Sequence, residues 1–303
     1  MQEPLITIAI PAYNNESSIR KTIDSCLNQK TDIQYEILIV DDASTDTTPQ
    51  IIAEYDNKIR IVTLEERVPI MDNHNNCLKY ANGEYVLFCH ADDILEDHAV
   101  ETVSRKLKQR NYPKKYILWG HSLFRDSYPI VKKAGFNVNE MIVGEYAPTM
   151  FMFGAVAPAG TCYSREGMLE VGGFLQANHR LAPSDITSMI YCAFQGFRFE
   201  MMDEMIMVRT YASTATETKL DIILESLDDA FKQLIEVTKK TDIDALITKS
   251  ITFDSKPYMF YYALAEDKAF AQRVKRIVRR EIIFNPGLLR DDIIRKLLKR
   301  LYL

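Results

Sequence analysis

The sequence predicts an α/β fold, a mainly parallel sheet flanked by helices, with a helical extension at its C-terminal end. Three observations predict it. Short β-rich apolar runs alternate with helix-spaced apolar residues through the first hundred residues. The strand-like runs are continuously apolar, as in strands covered on both faces of a parallel sheet. From about Thr216 the pattern is helical to the end.

The elements follow in order. Leu5–Ile10 is a β-rich run ended by Pro11. Glu16–Gln29 carries Ile19, Ile23, Cys26 and Leu27 at helical spacing. Glu36–Val40 is a second buried strand, closed by Asp41 and Asp42. Ser44–Asp46 offers capping oxygens, and Pro49 suits the first turn of a helix through about Tyr55. Ile59–Leu64 is a third strand, and Met71–Ala81 a helix ended by the capping pair Asn82-Gly83. Tyr85–Cys89 is a buried strand that runs into His90, Ala91, Asp92 and Asp93, and a helix follows from about Glu96 to Arg110. Residues 113–215 are less regular, with strands expected at Tyr116–Trp119, Ala159–Tyr163 and Met205–Tyr211 and a helix after Asp185. The expected division is one domain over residues 1–215 and a helical region over 216–303.

Composition bounds the function. The 303 residues are 47% hydrophobic and 26% charged, as in an ordinary globular protein. No apolar run approaches a membrane span. The N-terminal stretch has neither a basic segment nor a small-residue cleavage site, so no signal peptide is expected. Five cysteines, Cys26, Cys77, Cys89, Cys162 and Cys192, form no CxxC pair. They read as reduced thiols in a cytoplasmic protein, and they do not suggest zinc. The charge is uneven. Residues 268–303 hold eleven Lys/Arg against three Asp/Glu, a net of +8, which leaves −13 on residues 1–267 given −5 overall.

In a parallel sheet, ligands bind beyond the carboxyl ends of the strands. Three strand ends carry polar clusters: PAYNNE (11–16), DDASTD (41–46) and HADD (90–93). There is no GxGxxG after the first strand and no GxxxxGK[ST], which argues against a dinucleotide-binding dehydrogenase and a P-loop enzyme. Phosphoacceptor receiver domains also carry an acidic strand end but are far shorter. Adjacent carboxylates with no glycine-rich cradle fit another solution, in which Mg²⁺ or Mn²⁺ held by oxygen ligands neutralises a diphosphate.

Five segments carry a family resemblance: TIAIPAYNNE (7–16), EILIVDDASTDTT (36–48), NHNNCLKYANGEYVLFCHADDIL (73–95), GGF (172–174) and SD (184–185). In this order and spacing they resemble the inverting glycosyltransferases of family 2, over about residues 4–211. The resemblance implies the GT-A nucleotide-diphospho-sugar transferase fold and a sugar donor carried by a nucleoside diphosphate. Pro11 and Tyr13 would line the base, and Glu16 closes the same cluster of the donor site. Asp42 would accept the imide N–H of the base, which favours uracil; its other reading is a turn or capping aspartate. Asn73 and Asn75 stand where the family often has Ala-Arg-Asn, with His74 in the arginine position. Asn75 is assigned to the donor site; solvation of a helix surface is the plain alternative.

The family's Asp-x-Asp motif stands here as His90-Ala91-Asp92-Asp93. The resemblance makes Asp92 and Asp93 the expected metal and ribose contacts. His90 joins the metal, bonds a ribose hydroxyl, or simply packs. An inverting transfer also needs a base across the sugar from the leaving diphosphate. The resemblance puts it at Asp185 of Ser184-Asp185, where the family has a Glu-Asp pair. The plain reading of Asp185 is a helix N-terminal aspartate favoured by the dipole. His179 and Arg180 are loop candidates for the diphosphate, and Arg209-Thr210-Tyr211 is similar to a family Arg-x-His element.

The expected activity is transfer of a sugar, from UDP above other nucleotides, to a glycan or lipid-linked glycan in bacterial surface polysaccharide assembly, with Mn²⁺ or Mg²⁺ as cofactor and no nucleic-acid partner. The segment LLRDDIIRKLLKRLYL (288–303) puts apolar residues on one helical stripe and Arg/Lys opposite. Such a helix lies on an anionic membrane surface, or packs on the domain or in a homo-oligomer. The expected place is the cytoplasm, with peripheral contact at the inner face of the membrane. Two other readings stand: a nucleotidyltransferase, which lacks here its glycine- and basic-rich N-terminal loop, and a nucleotide-binding relative without turnover.

Overall fold

The computed structural model describes residues 5–122, 142–143, 159–176, 185–209, 268–290 and 295. In its first part strands and helices alternate: β1 (Ile6–Ala12), α1 (Ile19–Leu27), β2 (Tyr35–Asp41), α2 (Thr48–Ala53), β3 (Arg60–Thr63), α3 (Ile70–Tyr80) and β4 (Tyr85–Phe88). Then come β5 (Asp93–Leu95), α4 (Ala99–Gln109), β6 (Tyr116–Ser122), β7 (Ile142–Val143), β8 (Thr161–Ser164), α5 (Arg165–Glu170), α6 (Asp185–Phe194) and β9 (Arg198–Arg209). The described C-terminal elements are α7 (Lys268–Phe284) and a 3₁₀ turn, Pro286–Arg290.

The strands form one sheet in the order β3-β2-β1-β4-β8-β6-β9-β5, with β7 paired to β9. β3, β2, β1 and β4 are parallel, as their apolar runs predict. Beyond β4 the sheet is mixed: β8 runs antiparallel to β4 and β6, while β6 and β9 are parallel. The core follows from the runs. Ile6, Ile8, Ile10, Ile37, Ile39 and Leu87 are buried with Ile19, Ile23 and Cys26 of α1. Each such aliphatic side chain contributes roughly 1.5–3 kcal/mol by leaving water.

Several boundaries differ from the sequence reading, for local reasons. β1 continues through Pro11 to Ala12. The Ala9 carbonyl accepts the Cys89 N–H, so Pro11, two residues on, turns its nitrogen to the same side, past the end of β4. There it breaks no ladder bond. α3 ends on Ala81, in extended conformation, rather than on the Asn82-Gly83 pair. Gly83 is needed for packing instead: a Cβ there would sit 2.5 Å from the Thr7 nitrogen. α2 starts at Thr48, whose N–H is received by the Asp46 side chain at 2.9 Å. β9 begins at Arg198, earlier than Met205, because the charged Glu200 interrupts its apolar run yet is fully buried. The division near residue 215 and the amphipathic stripe of 288–303 fall largely outside the described residues.

Candidate functional site

The site is built where β1, β2 and β4 end side by side. The chain turns sharply after β1 and after β2, with Asn14 at φ 51° and Ala43 at φ 53°. Side chains lock the two turns together. Asn14 Oδ1 accepts the Thr45 N–H at 2.8 Å, and the Asn14 N–H donates to Ser44 Oγ at 2.9 Å. Ser44 in turn donates to Asp41, which is fully buried. Burial pushes the Asp41 carboxyl above its ordinary range, although the Ser44 hydroxyl and N–H pull it back. Asp41 therefore holds the turn. Glu16 does similar work: its Oε2 accepts both the N–H and the hydroxyl of Thr47, at 3.0 and 2.6 Å.

Asp42 follows Asp41 at the end of β2. It is 4% exposed, and its N–H donates to Ala12 at 2.9 Å. Oδ1 accepts the Val68 N–H at 2.7 Å, and Oδ2 lies 3.8 Å from Arg67 Nε. The Arg67 guanidinium sits over the Tyr13 ring, 3.6 Å from its centroid. Arg67 escaped the sequence reading, which took three strand ends and passed over the fourth. The loop after β3 is tied to the others by the Leu64 N–H donating to Asp41 at 2.9 Å, so the same logic of strand ends would have pointed to residues 64–69.

The turn from β4 into β5 carries His90, Asp92 and Asp93. Helix α1 holds it from beneath: Thr22 donates to the carbonyls of Ala91 and Asp93 at 3.0 and 2.8 Å, and Ser18 donates to Ala91 at 2.9 Å. One ligand atom from each of His90, Asp92 and Asp93 lies within 4.8 Å of the others. Two carboxylates and an imidazole at this spacing suit a divalent ion such as Mn²⁺ or Mg²⁺. His74 backs the turn. Its Nε2 lies 3.1 Å from His90 Nε2, and its Nδ1 lies 2.8 Å from the Ile70 carbonyl. Its ring stacks on Phe88 and meets Phe174 edge-on. Burial pulls its pKa down to about 4.

The other predicted residues divide. Asn75 clamps the segment after α5: its Nδ2 donates to the Phe174 carbonyl at 2.9 Å, and its Oδ1 accepts the Phe174 N–H at 2.7 Å. Gly173, at φ +83°, lies so close to this amide that a Cβ would collide with it. Asn73 is buried, with Nδ2 bonded to the Val40 carbonyl at 3.3 Å. Asp185 opens α6. One turn further on, Ser188 Oγ accepts the Leu175 N–H at 2.9 Å, so α6 is tied to the segment that Asn75 holds. Arg209 is opposite Asp93 in the β9–β5 register. His179, Arg180, Ser184 and Tyr211 lie outside the described residues.

Comparison with known families covers the strand-end turns of the first part of the chain and stops short of Phe174 and Asp185. A family model described as Glycosyl transferase family 2 matches residues 7–113. The UDP-Glc:alpha-D-GlcNAc-diphosphoundecaprenol beta-1,3-glucosyltransferase WfgD of Escherichia coli is 37% identical over 95 residues, 31% of this chain and 37% of that protein. Uncharacterized protein MT1568 of Mycobacterium tuberculosis is 37% identical over 107 residues, 35% of this chain. The chain spans only about a third of the length of these curated relatives, 33% for MT1568. Among solved structures, Staphylococcus aureus TarS 1–349 in complex with UDP-GlcNAc is similar in fold, with a TM-score of 0.63 at 17% identity, over 90% of this chain and 83% of that one.

Proposed function

We propose, from the match of residues 7–113 to the model described as Glycosyl transferase family 2, that this chain is an inverting glycosyltransferase. It moves a sugar from a nucleoside diphosphate, UDP foremost, to a glycan or lipid-linked glycan of the bacterial surface. The observation that carries this reading is a pair of groups at neighbouring strand ends: Tyr13 and Asp42, bridged by Arg67, and His90 with Asp92 and Asp93. Tyr13 offers an aromatic face to a base. Asp42, as an acceptor, selects a base that presents an N–H, as uracil does through its imide. His90, Asp92 and Asp93 would hold Mn²⁺ or Mg²⁺. A bound ion would draw off the negative charge that gathers on the diphosphate as its bond to the sugar breaks.

Asp185 is the proposed base. It stands at the first position of α6, where a helix dipole favours a carboxylate. It takes the proton of the acceptor hydroxyl as that oxygen attacks the anomeric carbon from the face opposite the diphosphate, which inverts the configuration. The lipid-linked acceptor is suggested by the printed name of WfgD. The basic C-terminal region, with Ile283 and Phe284 exposed at the end of α7, would keep the enzyme at the cytoplasmic face of a membrane. Among the described residues no helix is long and apolar enough to cross one.

The test is thermal unfolding with a panel of nucleoside diphosphates and UDP-sugars, with and without Mn²⁺, on wild type, Asp92→Asn/Asp93→Asn and Asp185→Asn. Binding to the folded state raises apparent stability by mass action. A Mn²⁺-dependent rise with UDP is expected in wild type and Asp185→Asn but not in the double variant. Asp185→Asn should also lower transfer by about 10²–10⁴-fold. No response to any pyrimidine nucleotide would sink the donor assignment. Donor binding without transfer or hydrolysis would favour a binding protein without turnover.

A further inference from the structure

The two positions at which the sequence departs from the family pattern beside the acidic turn, His74 and His90, meet in space. Their Nε2 atoms are 3.1 Å apart. Between two imidazole nitrogens at that distance there is room for one proton, and the surroundings say which ring carries it. His74 Nδ1 is 2.8 Å from the Ile70 carbonyl oxygen, which can only accept, so Nδ1 bears a hydrogen. A second hydrogen on His74 Nε2 would create an imidazolium that is 2% exposed and packed against the rings of Phe88 and Phe174. A buried cation among apolar rings is strongly disfavoured. The shared proton therefore belongs to His90 Nε2, and His74 Nε2 accepts it. A neutral His90 so held has its lone pair on Nδ1.

We propose that His74 is a positioning residue for the metal site. By accepting from His90 Nε2–H it fixes the tautomer in which His90 Nδ1 is a ligand beside Asp92 and Asp93. This deepens the donor-site reading above and rests on it. The relay runs from the Ile70 carbonyl through His74 to His90, the arrangement by which an outer partner orients a ligating imidazole and raises its basicity. It also has a consequence for selectivity. One nitrogen and two carboxylates make a donor set that favours Mn²⁺ over Mg²⁺, which prefers oxygen alone.

The experiment uses the full chain, the metal alone, and no turnover. Long-range ¹H–¹⁵N correlation on histidine-labelled wild type should show His74 protonated at Nδ1 and His90 at Nε2. His90 protonated at Nδ1 instead would overturn the proposal, and this measurement needs no variant to fold. Free Mn²⁺ is then titrated by electron paramagnetic resonance. His74→Phe keeps the ring contacts but removes the acceptor, and should weaken Mn²⁺ by about 10–100-fold. His74→Gln, whose carbonyl can accept from His90, should recover most of it, which a merely structural role would not predict. His90→Asp should narrow the preference for Mn²⁺ over Mg²⁺. Mn²⁺ binding by His74→Phe equal to wild type, at equal thermal stability, would discard the relay and leave the donor site standing. A wild type that binds no Mn²⁺ with or without UDP would remove the donor site itself.

Discussion

Asp42 and Glu200 are both buried carboxylates with an arginine for a neighbour, and they differ in how tightly that arginine is held. Glu200 is fully buried on β9 and is gripped on both oxygens. Arg110 reaches Oε2 at 2.7 Å through Nε and Oε1 at 3.0 Å through Nη2, Lys106 lies 3.4 Å away, and the Tyr116 hydroxyl donates at 2.6 Å. Burial alone would push the Glu200 carboxyl up, but the hydrogen bonds from Arg110 and Tyr116 outweigh it and hold it below the usual carboxylate range. At Asp42 the arginine stands off at 3.8 Å, and its side chain is 38% exposed. The difference separates two uses of a buried charge. A carboxylate gripped on both oxygens fastens α4 to the sheet; one whose arginine stands farther off is the one proposed above for the base.

The comparison breaks most visibly at Glu200. Arg110→Met leaves that charge without its bidentate partner, and removing one member of a buried pair costs about 3–5 kcal/mol. Urea unfolding should show a loss of that order, at its lower end because Lys106 and Tyr116 remain. UDP affinity should stay within about twofold of wild type. Unchanged stability would mean that Glu200 does not fasten α4.

Asp42→Asn should do the reverse. The amide oxygen keeps the Val68 N–H, so the unfolding free energy should move little. A hydrogen bond from a base to an ionised acceptor is worth about 1.5–3 kcal/mol, so UDP should bind about 10–100-fold more weakly by calorimetry. A variant that binds UDP as wild type does would return Asp42 to the role of a turn aspartate.

Acid sharpens the same contrast. The folded pKa of Glu200 is lowered, so its contribution to stability is full above the unfolded carboxylate pKa and is lost as pH falls through the folded value. Wild type should therefore lose stability between about pH 5 and more acidic values. Glu200→Gln should flatten that slope. An equal slope in both would place the acid sensitivity elsewhere.

How much of this was legible depended on where charge and apolarity agreed. Ile6–Ile10, Ile37–Val40 and Tyr85–Phe88 announce their strands because every residue but Thr7 is apolar, and the polar clusters at their ends announce the crevice. Glu200 hid the start of β9 because its partners come from α4 and β6, some 84 to 94 residues away. His74 and His90 looked like losses from a motif, and only their meeting across α3 and the β4–β5 turn shows that one answers the other. Asn75 read as a donor-site residue; that its amide clamps Phe174, 99 residues on, follows from packing that spacing cannot reveal.

The smallest expected effect belongs to Arg67, and it tests how loosely Asp42's partner is held. The guanidinium is planar, lies 3.6 Å from the centre of the Tyr13 ring and turns a nitrogen toward Asp42. Those are the two contacts proposed above for a uracil ring, so on that reading Arg67 yields when the base arrives. A cation over an exposed ring contributes about 0.5–1 kcal/mol, and an ion pair at this separation adds less than about 1 kcal/mol. Giving up these two contacts costs on the order of 1 kcal/mol, which lowers the apparent affinity for UDP about fivefold. Arg67→Ala should tighten UDP by that factor in calorimetry, with uridine showing the same gain because the competition is at the base. Weaker binding of UDP with unchanged binding of uridine would instead put the guanidinium on the diphosphate, and Arg67 would then belong to the ligand's contacts rather than stand in their place.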